Sequence, residues 1–362
     1  MTLPPRQIIL AAVALRRRLK QLADALVPPE VCVLEISTST GAAQVAAAIA
    51  ELGIADVLGD RALTAVQVAE QVNTDPDTTH RLLRAAVSYG LCEMSPSTGA
   101  VTLTRTGRVL RSDHPESLRE WAIYQNLRST AEAWADLPNS VRTGQSAFVA
   151  VHGMSMWERL ASHPEEERLF ADAMRRATTI SAPAIVQAYP WPKNGVVCDV
   201  AGGIGTLLSA IIAQSDADLR GVLVDGPGVI AEAEAFLETR GVADRVDRVV
   251  GDIFGAITAS ADVYLLKDIL HDWDDDRCGK ILSAVATAMP SGSRLVLIEV
   301  IQEANAPNPL AAFVDLLMLT QTDGGRQRSV EELGTLLTKA DLRPTGRVFR
   351  AGAHHLVEAM KP

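Results

Sequence analysis

Five short apolar runs alternate with helical stretches in the C-terminal half of the sequence, and this alternation constrains the fold more than any other feature. The runs occupy positions 196–200, 221–224, 246–250, 263–266 and 295–301. Continuous apolar runs of this length are typical of strands that are buried on both faces of a sheet. Helices between such strands cover the two faces. The pattern therefore predicts an α/β domain with a doubly wound, mostly parallel sheet.

A cluster of helix breakers separates this region from the first half of the chain. Pro190, Pro192, Asn194 and Gly195 are typical of a domain boundary. At about 150 residues per domain, the 362 residues suggest two domains, or one large domain with an added piece. We expect four segments: a helical extension (1–35), a winged-helix-like unit (36–113), a helical segment (114–194) and the α/β domain (195–362).

The charge and the cysteine content restrict the function classes. The chain has 34 Lys and Arg against 44 Asp and Glu, a formal net charge of −10. This balance repels a phosphate backbone and disfavours bulk binding of nucleic acid or of an anionic membrane. The four cysteines form no CxxC pair, which fits a reducing compartment and gives no metal-ligand spacing. They are Cys32, Cys92, Cys198 and Cys278.

No export signal or membrane span is expected. The apolar run 8–15 is followed directly by Arg16, Arg17 and Arg18, where a signal peptide has small residues. The longest uncharged stretch, 36–50, contains Ser, Thr, Gly and Gln and is too short to cross a bilayer. We therefore expect a soluble protein of the cytoplasm.

An apolar stripe runs along the first segment. Its residues recur at intervals of three and four, which places them on one face of a helix that ends at Pro28. They are Ile8, Ala12, Leu15, Leu19, Leu22 and Leu26. The stripe either docks on the chain's own core or is exchanged between two subunits, and the sequence leaves both open.

The region 41–113 resembles a winged helix-turn-helix. Helices are predicted at 45–52, 64–72 and 75–89, and a hairpin is predicted around 97–99. DNA reading would require basic residues on the third helix and on the wing. The third helix offers His80, Arg81 and Arg84, but the region holds six Arg, no Lys and eight acidic residues. A scaffold or dimerisation role is therefore favoured.

The first strand of the α/β domain ends at Asp199 and leads into a glycine-rich turn, 201–205. Gly202 and Gly203 let the backbone approach a ligand at the edge where such folds bind nucleotides. The third glycine of a dinucleotide pattern is replaced by Leu208, so a pyrophosphate is not indicated.

Two further carboxylates end the next two strands. Asp225 lies twenty residues after Gly205, the spacing at which a carboxylate commonly receives ribose hydroxyls, although Asp is also a common turn residue. Asp252 follows the third strand beside Ile253 and Phe254 and is suited to accept from an adenine amino group. Strand-end carboxylates without a phosphate cradle favour a nucleoside with a cationic tail.

The stretch 265–276 follows the fourth strand and carries the most informative side chains. It places Lys267, His271 and Trp273 at the binding edge of the sheet, and Asp274 begins the acidic first turn of the next helix. A lone histidine is more often structural than catalytic, but this location favours His271 as a general base. The seven histidines include no HxxxH pair, so no metal site is expected.

Four motifs of the C-terminal half occur together in one enzyme family. They are Asp-Val-Ala-Gly-Gly-Ile-Gly from Asp199, Gly-Asp-Ile-Phe from Gly251, Leu-Lys-Asp-Ile-Leu-His-Asp-Trp from Leu266 and Gly-Gly-Arg-Gln-Arg-Ser from Gly324. Over residues 36–362 the chain resembles the S-adenosylmethionine-dependent O-methyltransferases of the plant caffeate and bacterial polyketide-tailoring type. The resemblance implies a Rossmann-like methyltransferase domain, a mainly helical, winged-helix-like dimerisation domain before it, and hence a homodimer.

The resemblance also implies S-adenosylmethionine as the cofactor and assigns residues to each role. Those expected at the cofactor are Asp199, Gly202, Gly203, Asp225, Asp252, Ile253, Lys267 and Thr178. Those expected at a small aromatic, hydroxylated substrate are Phe148, Met174 and Trp273. His271 is expected to remove the proton of a phenolic or other aromatic hydroxyl, with Glu299 and Gln327 beside it. The metabolite is expected to belong to secondary metabolism.

Three positions depart from the family's pattern. Ala201 replaces the first glycine of the turn, and Gly226 stands where a larger residue usually follows the ribose carboxylate. Gln327 replaces a second glutamate, which removes a negative charge beside the proposed base.

Two other readings remain open at the level of sequence. An NAD-dependent oxidoreductase shares the sheet and the strand-end Asp, although Leu208 disfavours it. A methyltransferase-like protein with other chemistry, or a ligand-binding regulator, is disfavoured by the intact His271-Asp272-Trp273 segment.

Overall fold

The N-terminal half is helical except for one short hairpin. The computed structural model describes residues 6–215, 218–303 and 308–362, and the chain divides into two compact units between Asn126 and Leu127. The first unit contains α1 (Arg6–Ala25), α2 (Pro29–Glu51), α3 (Ile54–Leu58), α4 (Ala65–Val72), α5 (Pro76–Ser88), β1 (Cys92–Met94), β2 (Val101–Leu103) and α6 (Arg119–Gln125).

Side-chain caps set the helix starts in this unit. The Asp75 carboxylate accepts a hydrogen bond from the Thr78 amide at 2.8 Å, and Thr64 forms a reciprocal capping box with Gln67 at the start of α4. Such caps satisfy amide groups that have no partner within the helix. The hairpin predicted around 97–99 is confirmed, since β1 and β2 pair antiparallel.

Helix α2 is much longer than the predicted helix 45–52. It has 23 residues and is the one helix in the described part of the chain that is long and apolar enough, by length and composition alone, to cross a membrane. The stretch 36–50 is therefore part of a longer apolar helix than expected. Ile49 and Ala50 near its C-terminal end are buried in the core of the first unit, whereas most of the preceding residues of the helix are exposed.

The second unit is an α/β structure preceded by five helices. The helices before the sheet are α7 (Arg128–Ala135), α8 (Leu137–Thr143), α9 (Ala147–His152), α10 (Met156–Ser162) and α11 (Pro164–Ala188). The strands are β3 (Gly195–Val200), β4 (Leu219–Asp225), β5 (Val246–Val250), β6 (Val263–Lys267), β7 (Arg294–Val300), β8 (Arg343–Ala351) and β9 (His354–Met360). The remaining helices are α12 (Thr206–Ala213), α13 (Pro227–Thr239), α14 (Asp275–Ala288), α15 (Pro309–Gln321) and α16 (Val330–Lys339).

The seven strands form one twisted sheet in the order β5-β4-β3-β6-β7-β9-β8. Strands β3 to β7 are parallel, as predicted. Alternating side chains of these strands enter two apolar cores, so that Val197 lies in one core and Cys198 in the other. Because the carboxyl ends of parallel strands share one edge, the ends of β3, β4, β6 and β7 bring their loops together.

The last two strands are absent from the sequence prediction. Strand β9 pairs antiparallel with β7, and β8 pairs with β9 at the edge, with an irregularity between Pro344 and Val348. An edge strand needs only one apolar face, and β8 contains Pro, Gly and three Arg, which hide a strand pattern. The four-segment division of the chain stays a prediction.

Candidate active site

The turn after β3 is held in a left-handed conformation at three of its residues. Ala201, Gly203 and Gly205 have φ of 56°, 62° and 86°. Gly202 has no room for a side chain, since a Cβ would lie 2.5 Å from Cγ of Asp199. Glycine at positions 202, 203 and 205 is therefore required by geometry, whereas Ala201 adopts this conformation at an energetic cost.

Asp225 at the end of β4 fixes the same turn. Its two carboxylate oxygens accept hydrogen bonds from the amides of Gly203 at 2.8 Å and Gly226 at 2.7 Å. Each oxygen keeps a further lone pair for a ligand hydroxyl. Burial raises the pKa of Asp225 above its usual range. Asp225 thus lies beside the glycine turn, as the ribose assignment requires.

Asp199 is the most deeply buried carboxyl group beside the turn. Its side chain is 2% exposed, and its Oδ2 has no hydrogen-bond partner among the described residues. Burial and the neighbouring Asp225 raise the pKa of Asp199 to about 7, while Lys267 opposes this shift. A buried carboxyl group with an unpaired oxygen fits a cationic ligand group, because a positive charge would stabilise the carboxylate.

The loop after β5 presents a carboxylate and an aromatic ring. The Asp252 Oδ1 accepts from the Phe254 amide at 2.9 Å, and Ile253 packs against one apolar core of the sheet. The Phe254 ring meets the Trp273 ring edge-on, with 5.0 Å between centroids. These residues stand at the same sheet edge as Asp199 and Asp225.

Trp273 is the centre of an aromatic cluster. The ring of Trp157 from α10 stacks on it at 5.6 Å and 19°, and Phe170 from α11 meets Trp157 edge-on at 5.8 Å. The guanidinium of Arg277 lies 5.6 Å from the Trp273 centroid. Trp273 is a predicted substrate residue. The sequence leaves Trp157 open between a pocket wall and the core, because large apolar residues at helical spacing are usually core residues.

The other proposed substrate residues come from the helices before the sheet. Phe148 in α9 is buried and packs on the His152 ring with centroids 4.4 Å apart. Met174 and Thr178 are partly buried and lie four residues apart on one face of α11. The substrate and cofactor roles of these three residues stay predictions.

His271 lies on a short 3-10 turn, Leu270–Asp272, directly after β6. Its Nδ1 is 2.9 Å from the amide group of Gln327 and 3.4 Å from Oε2 of Glu299, and its Nε2 is 3.5 Å from Oδ1 of Asp272. Glu299 comes from β7, and its Oε1 accepts from the Leu270 amide at 3.0 Å. The structure thus brings together the three predicted catalytic residues.

The contacts at Nδ1 decide which ring nitrogen is free. A 180° rotation of the Gln327 amide exchanges its nitrogen and oxygen without moving the side chain, and its Oε1 otherwise has no partner among the described residues. With Oε1 toward the ring, Nδ1–H of His271 donates to Gln327 and is also close to Glu299. Nε2 is then the unprotonated nitrogen, which is the state a general base needs.

The site favours a neutral imidazole. Burial lowers the pKa of His271 to about 4, and Lys267, His354 and Arg328 add to the shift, while Asp268 opposes it. Burial also raises the pKa of Glu299 and of Asp272 well above the usual range. His271 is therefore unprotonated at neutral pH, but it is a weak base.

Lys267 and its neighbour form a small ionic network beside the base. Asp268 makes an ion pair with Lys267 and accepts from Nε2 of His354 at 3.1 Å. Ligand atoms of Asp268, His271 and Glu299 lie within 4.8 Å of one another and could hold a metal ion. Asp268 already balances two basic groups, so a further cation would have to displace them. The expectation of a metal-free site stays a prediction.

Family models match both halves of the chain. A model described as the O-methyltransferase domain matches residues 134–343, and a model described as the O-methyltransferase dimerisation domain matches residues 34–113. The first covers more than half of the chain, and the second spans most of α2, the helices α3 to α5 and the hairpin.

Individual relatives agree with the family models. The chain is 36% identical to the O-demethylpuromycin-O-methyltransferase of Streptomyces alboniger, over 81% of this chain and 78% of that protein. It is 35% identical to the phenazine O-methyltransferase PhzM of Lysobacter antibioticus, over 92% of this chain and 96% of the relative.

A solved structure extends the agreement to three dimensions. The O-methyltransferase NcsB1 from neocarzinostatin biosynthesis, in complex with S-adenosylmethionine and 2-hydroxy-5-methyl naphthoic acid, superposes with a TM-score of 0.74 at 32% identity, covering 89% of this chain and 96% of that one. These similarities agree with the site, which combines a glycine turn, strand-end carboxylates and a histidine. The chain belongs to the family of S-adenosylmethionine-dependent O-methyltransferases.

Proposed function

We propose that this protein methylates a phenolic or other aromatic hydroxyl of a small secondary metabolite, with His271 as the general base. The observation that carries the proposal is the position of His271, whose side chain is 14% exposed and lies between Glu299 and Gln327 at the sheet edge that also holds the strand-end carboxylates. The 2-hydroxy-5-methyl naphthoic acid in the related complex is a hydroxylated aromatic compound, as the proposed acceptor is.

The residues around the glycine turn fit S-adenosylmethionine. Asp225 would receive ribose hydroxyls, Asp252 the adenine amino group, and the buried carboxyl group of Asp199 would face a cationic part of the cofactor. Gly202 keeps the turn free of side-chain atoms where the backbone approaches the ligand. When bound, the cofactor supplies an electrophilic methyl group.

The chain's own residues then have to align the hydroxyl and accept its proton. A phenol has a pKa of about 10, whereas the pKa of His271 is about 4. Complete proton transfer before methyl transfer would cost about 8 kcal/mol at 1.36 kcal/mol per pKa unit. We infer that alignment of the hydroxyl supplies most of the rate enhancement, and that acidic phenols are better acceptors than ordinary ones.

The test is a mass-spectrometric screen of aromatic hydroxyl compounds with S-adenosylmethionine, with EDTA and with added Mg²⁺. We expect a mass gain of one methyl group on at least one phenol, with equal rates under both metal conditions. His271→Ala should lower its rate about 10²- to 10⁴-fold, whereas Asp225→Ala should weaken binding of S-adenosylhomocysteine by about 1–3 kcal/mol through lost hydrogen bonds. Calorimetric binding of NAD without binding of S-adenosylhomocysteine would contradict the proposal.

A further inference from the structure

Arg328 is a buried cation whose donors all reach the segment that carries His271. The side chain lies in the loop between α15 and α16, and the residue is 3% exposed. Its Nη1 donates to the Leu270 carbonyl at 2.6 Å and its Nη2 to the Trp273 carbonyl at 2.7 Å. Nε and Nη2 donate to Oδ1 of Asp275 at 3.0 and 2.8 Å.

These acceptors lie on both sides of His271 in the sequence. Leu270 immediately precedes His271, Trp273 follows it by two residues, and Asp275 is the first residue of α14. A guanidinium presents its donors in a rigid planar fork, so one side chain fixes the separation of all three acceptors. A lysine ammonium on a flexible stem does not impose this geometry.

The loop that carries Arg328 also makes the closest contacts to the imidazole. The preceding residue, Gln327, is the one whose amide group lies 2.9 Å from Nδ1 of His271, and its backbone amide donates to Asp315 at 2.7 Å. At Gly325 an added Cβ would lie 2.5 Å from the His271 carbonyl oxygen. The backbone and the side chain of His271 are therefore both located by Gly325, Gln327 and Arg328.

Stability alone does not require such an arrangement. A buried ion pair is often replaceable by apolar residues without loss of stability, because desolvation offsets the attraction. The counterion Asp275 is half exposed, so the pairing is weaker than in a fully buried pair. The Cys278 thiol also contacts the Leu270 and Trp273 carbonyls, at 3.2 and 3.5 Å, but a thiol is a weak donor. Arg328 adds charge-assisted hydrogen bonds to both carbonyls.

We propose that Arg328 is a positioning residue that holds the Leu270–Trp273 backbone so that His271 stays between Glu299 and Gln327 and directed at the acceptor hydroxyl. This proposal rests on the proposed function of His271. It concerns the placement of the base and not its identity.

The experiment compares Arg328→Ala and Arg328→Lys with two controls, using the full-length protein and an acceptor found in the screen. Arg326→Met removes the neighbouring arginine, which pairs with Glu332 and Asp275 on the surface. Leu337→Ala removes a fully buried core side chain of α16 and so matches the loss of stability. All variants are assayed at the same interval below their own Tm.

We expect both Arg328 variants to lose 30-fold or more in kcat while their affinity for S-adenosylhomocysteine changes less than threefold. Arg326→Met and Leu337→Ala should keep kcat within threefold of the wild type. Because the charge of Arg328 lowers the pKa of His271, Arg328→Ala should also move the rising limb of the kcat/KM profile to higher pH. Added guanidinium, but not ammonium, should restore part of the kcat of Arg328→Ala.

The positioning role of Arg328 is overturned if the Arg328 variants lose no more kcat than Leu337→Ala, or if kcat and cofactor affinity fall in parallel with an unchanged pH profile. If Arg328→Ala does not fold, kcat and cofactor affinity of Arg328→Lys and Asp275→Asn are compared with those of the same two controls. Near-normal turnover in His271→Ala would instead contradict the proposed function. Because this is a different variant, failure of the proposed function can be told apart from failure of the Arg328 proposal.

Discussion

At the scale of single residues, the neutral side chain at Gln327 sets the strength of the proposed base. Gln327→Glu would place a carboxylate at the position 2.9 Å from Nδ1 of His271. A negative charge stabilises the imidazolium, so the pKa of His271 should rise from about 4 toward the ordinary value for histidine. The rising limb of the pH-rate profile should therefore move to higher pH.

The same variant should change the selectivity for acceptors. A stronger base makes proton removal from ordinary phenols less unfavourable, so the rate advantage of acidic phenols should shrink. The measurement is kcat across a series of phenols of graded acidity, for the wild type and for Gln327→Glu. Identical pH-rate profiles and identical selectivity in both proteins would mean that the charge at position 327 does not change the pKa of His271.

Asp199 should couple cofactor binding to proton release. Its pKa of about 7 in the folded protein exceeds the ordinary value, so the protonated form is the one that stabilises the fold. That contribution is complete below about pH 4 and is lost as the pH rises through 7. A bound cation lowers the pKa again, and S-adenosylmethionine binding near pH 6 should release close to one proton.

Calorimetry in two buffers with different ionisation enthalpies counts this proton. Asp199→Asn should bind the cofactor without releasing this proton. Asp252→Asn changes an exposed carboxylate and should release the proton as the wild type does. Equal heats in both buffers for the wild type at pH 6 would exclude Asp199 as the linked group.

At the scale of elements, Ala201 shows how a turn tolerates a residue other than glycine. Its φ of 56° costs an L-residue with a Cβ about 1–2 kcal/mol, and glycine costs about 0.5–1 kcal/mol in chain entropy. Ala201→Gly should therefore raise the free energy of unfolding by roughly 0.5–1 kcal/mol. Ala210→Gly, within α12, is the matched control and should lower it by about 1 kcal/mol; denaturant titration measures both.

Sequence patterns predicted the elements that have a local signal and missed the strands that have none. The strands of the parallel sheet are continuous apolar runs, and the helix beginning at Asp75 has its own cap signal, so both follow from local chemistry. The edge strand β8 is half exposed and rich in arginine, and its pairing with β9 depends on the rest of the sheet. Helix α2 extends to Pro29 because its polar residues do not interrupt helical hydrogen bonding.

The site residues also divide into those with a local sequence signal and those without one. From the residues alone only His271 was a candidate base, because a histidine directly after a buried strand lies at the binding edge. Glu299 and Gln327 were assigned through the family resemblance, and their contacts confirm that they meet His271. Arg328 was missed because an arginine in a loop has no local signature of proximity to a site on other elements. For Trp157, helical spacing left both a pocket wall and the core open.

At the scale of the whole molecule, the O-methyltransferase dimerisation domain supports a homodimer, and the apolar stripe of α1 is the candidate for an additional part of the interface. Leu15, Leu19 and Leu22 are each more than half exposed, and the side chains of Ile8 and of its neighbours to residue 11 lie outside the described residues. A row of leucines on one face of an exposed helix leaves apolar surface in contact with water, and burying each would contribute about 1.5–3 kcal/mol.

We therefore expect a homodimer whose dissociation constant rises at least about 100-fold when Leu15, Leu19 and Leu22 are all changed to Ser, since about 3 kcal/mol of apolar burial would be lost. Sedimentation equilibrium measures this constant. The matched control changes Arg17, Gln21 and Asp24 on the opposite face of α1 to Ser and should leave the constant within threefold. A monomeric wild type would contradict the homodimer itself. Unchanged dimerisation of the leucine variant would remove only α1 from the interface, because the dimerisation domain begins after that helix ends.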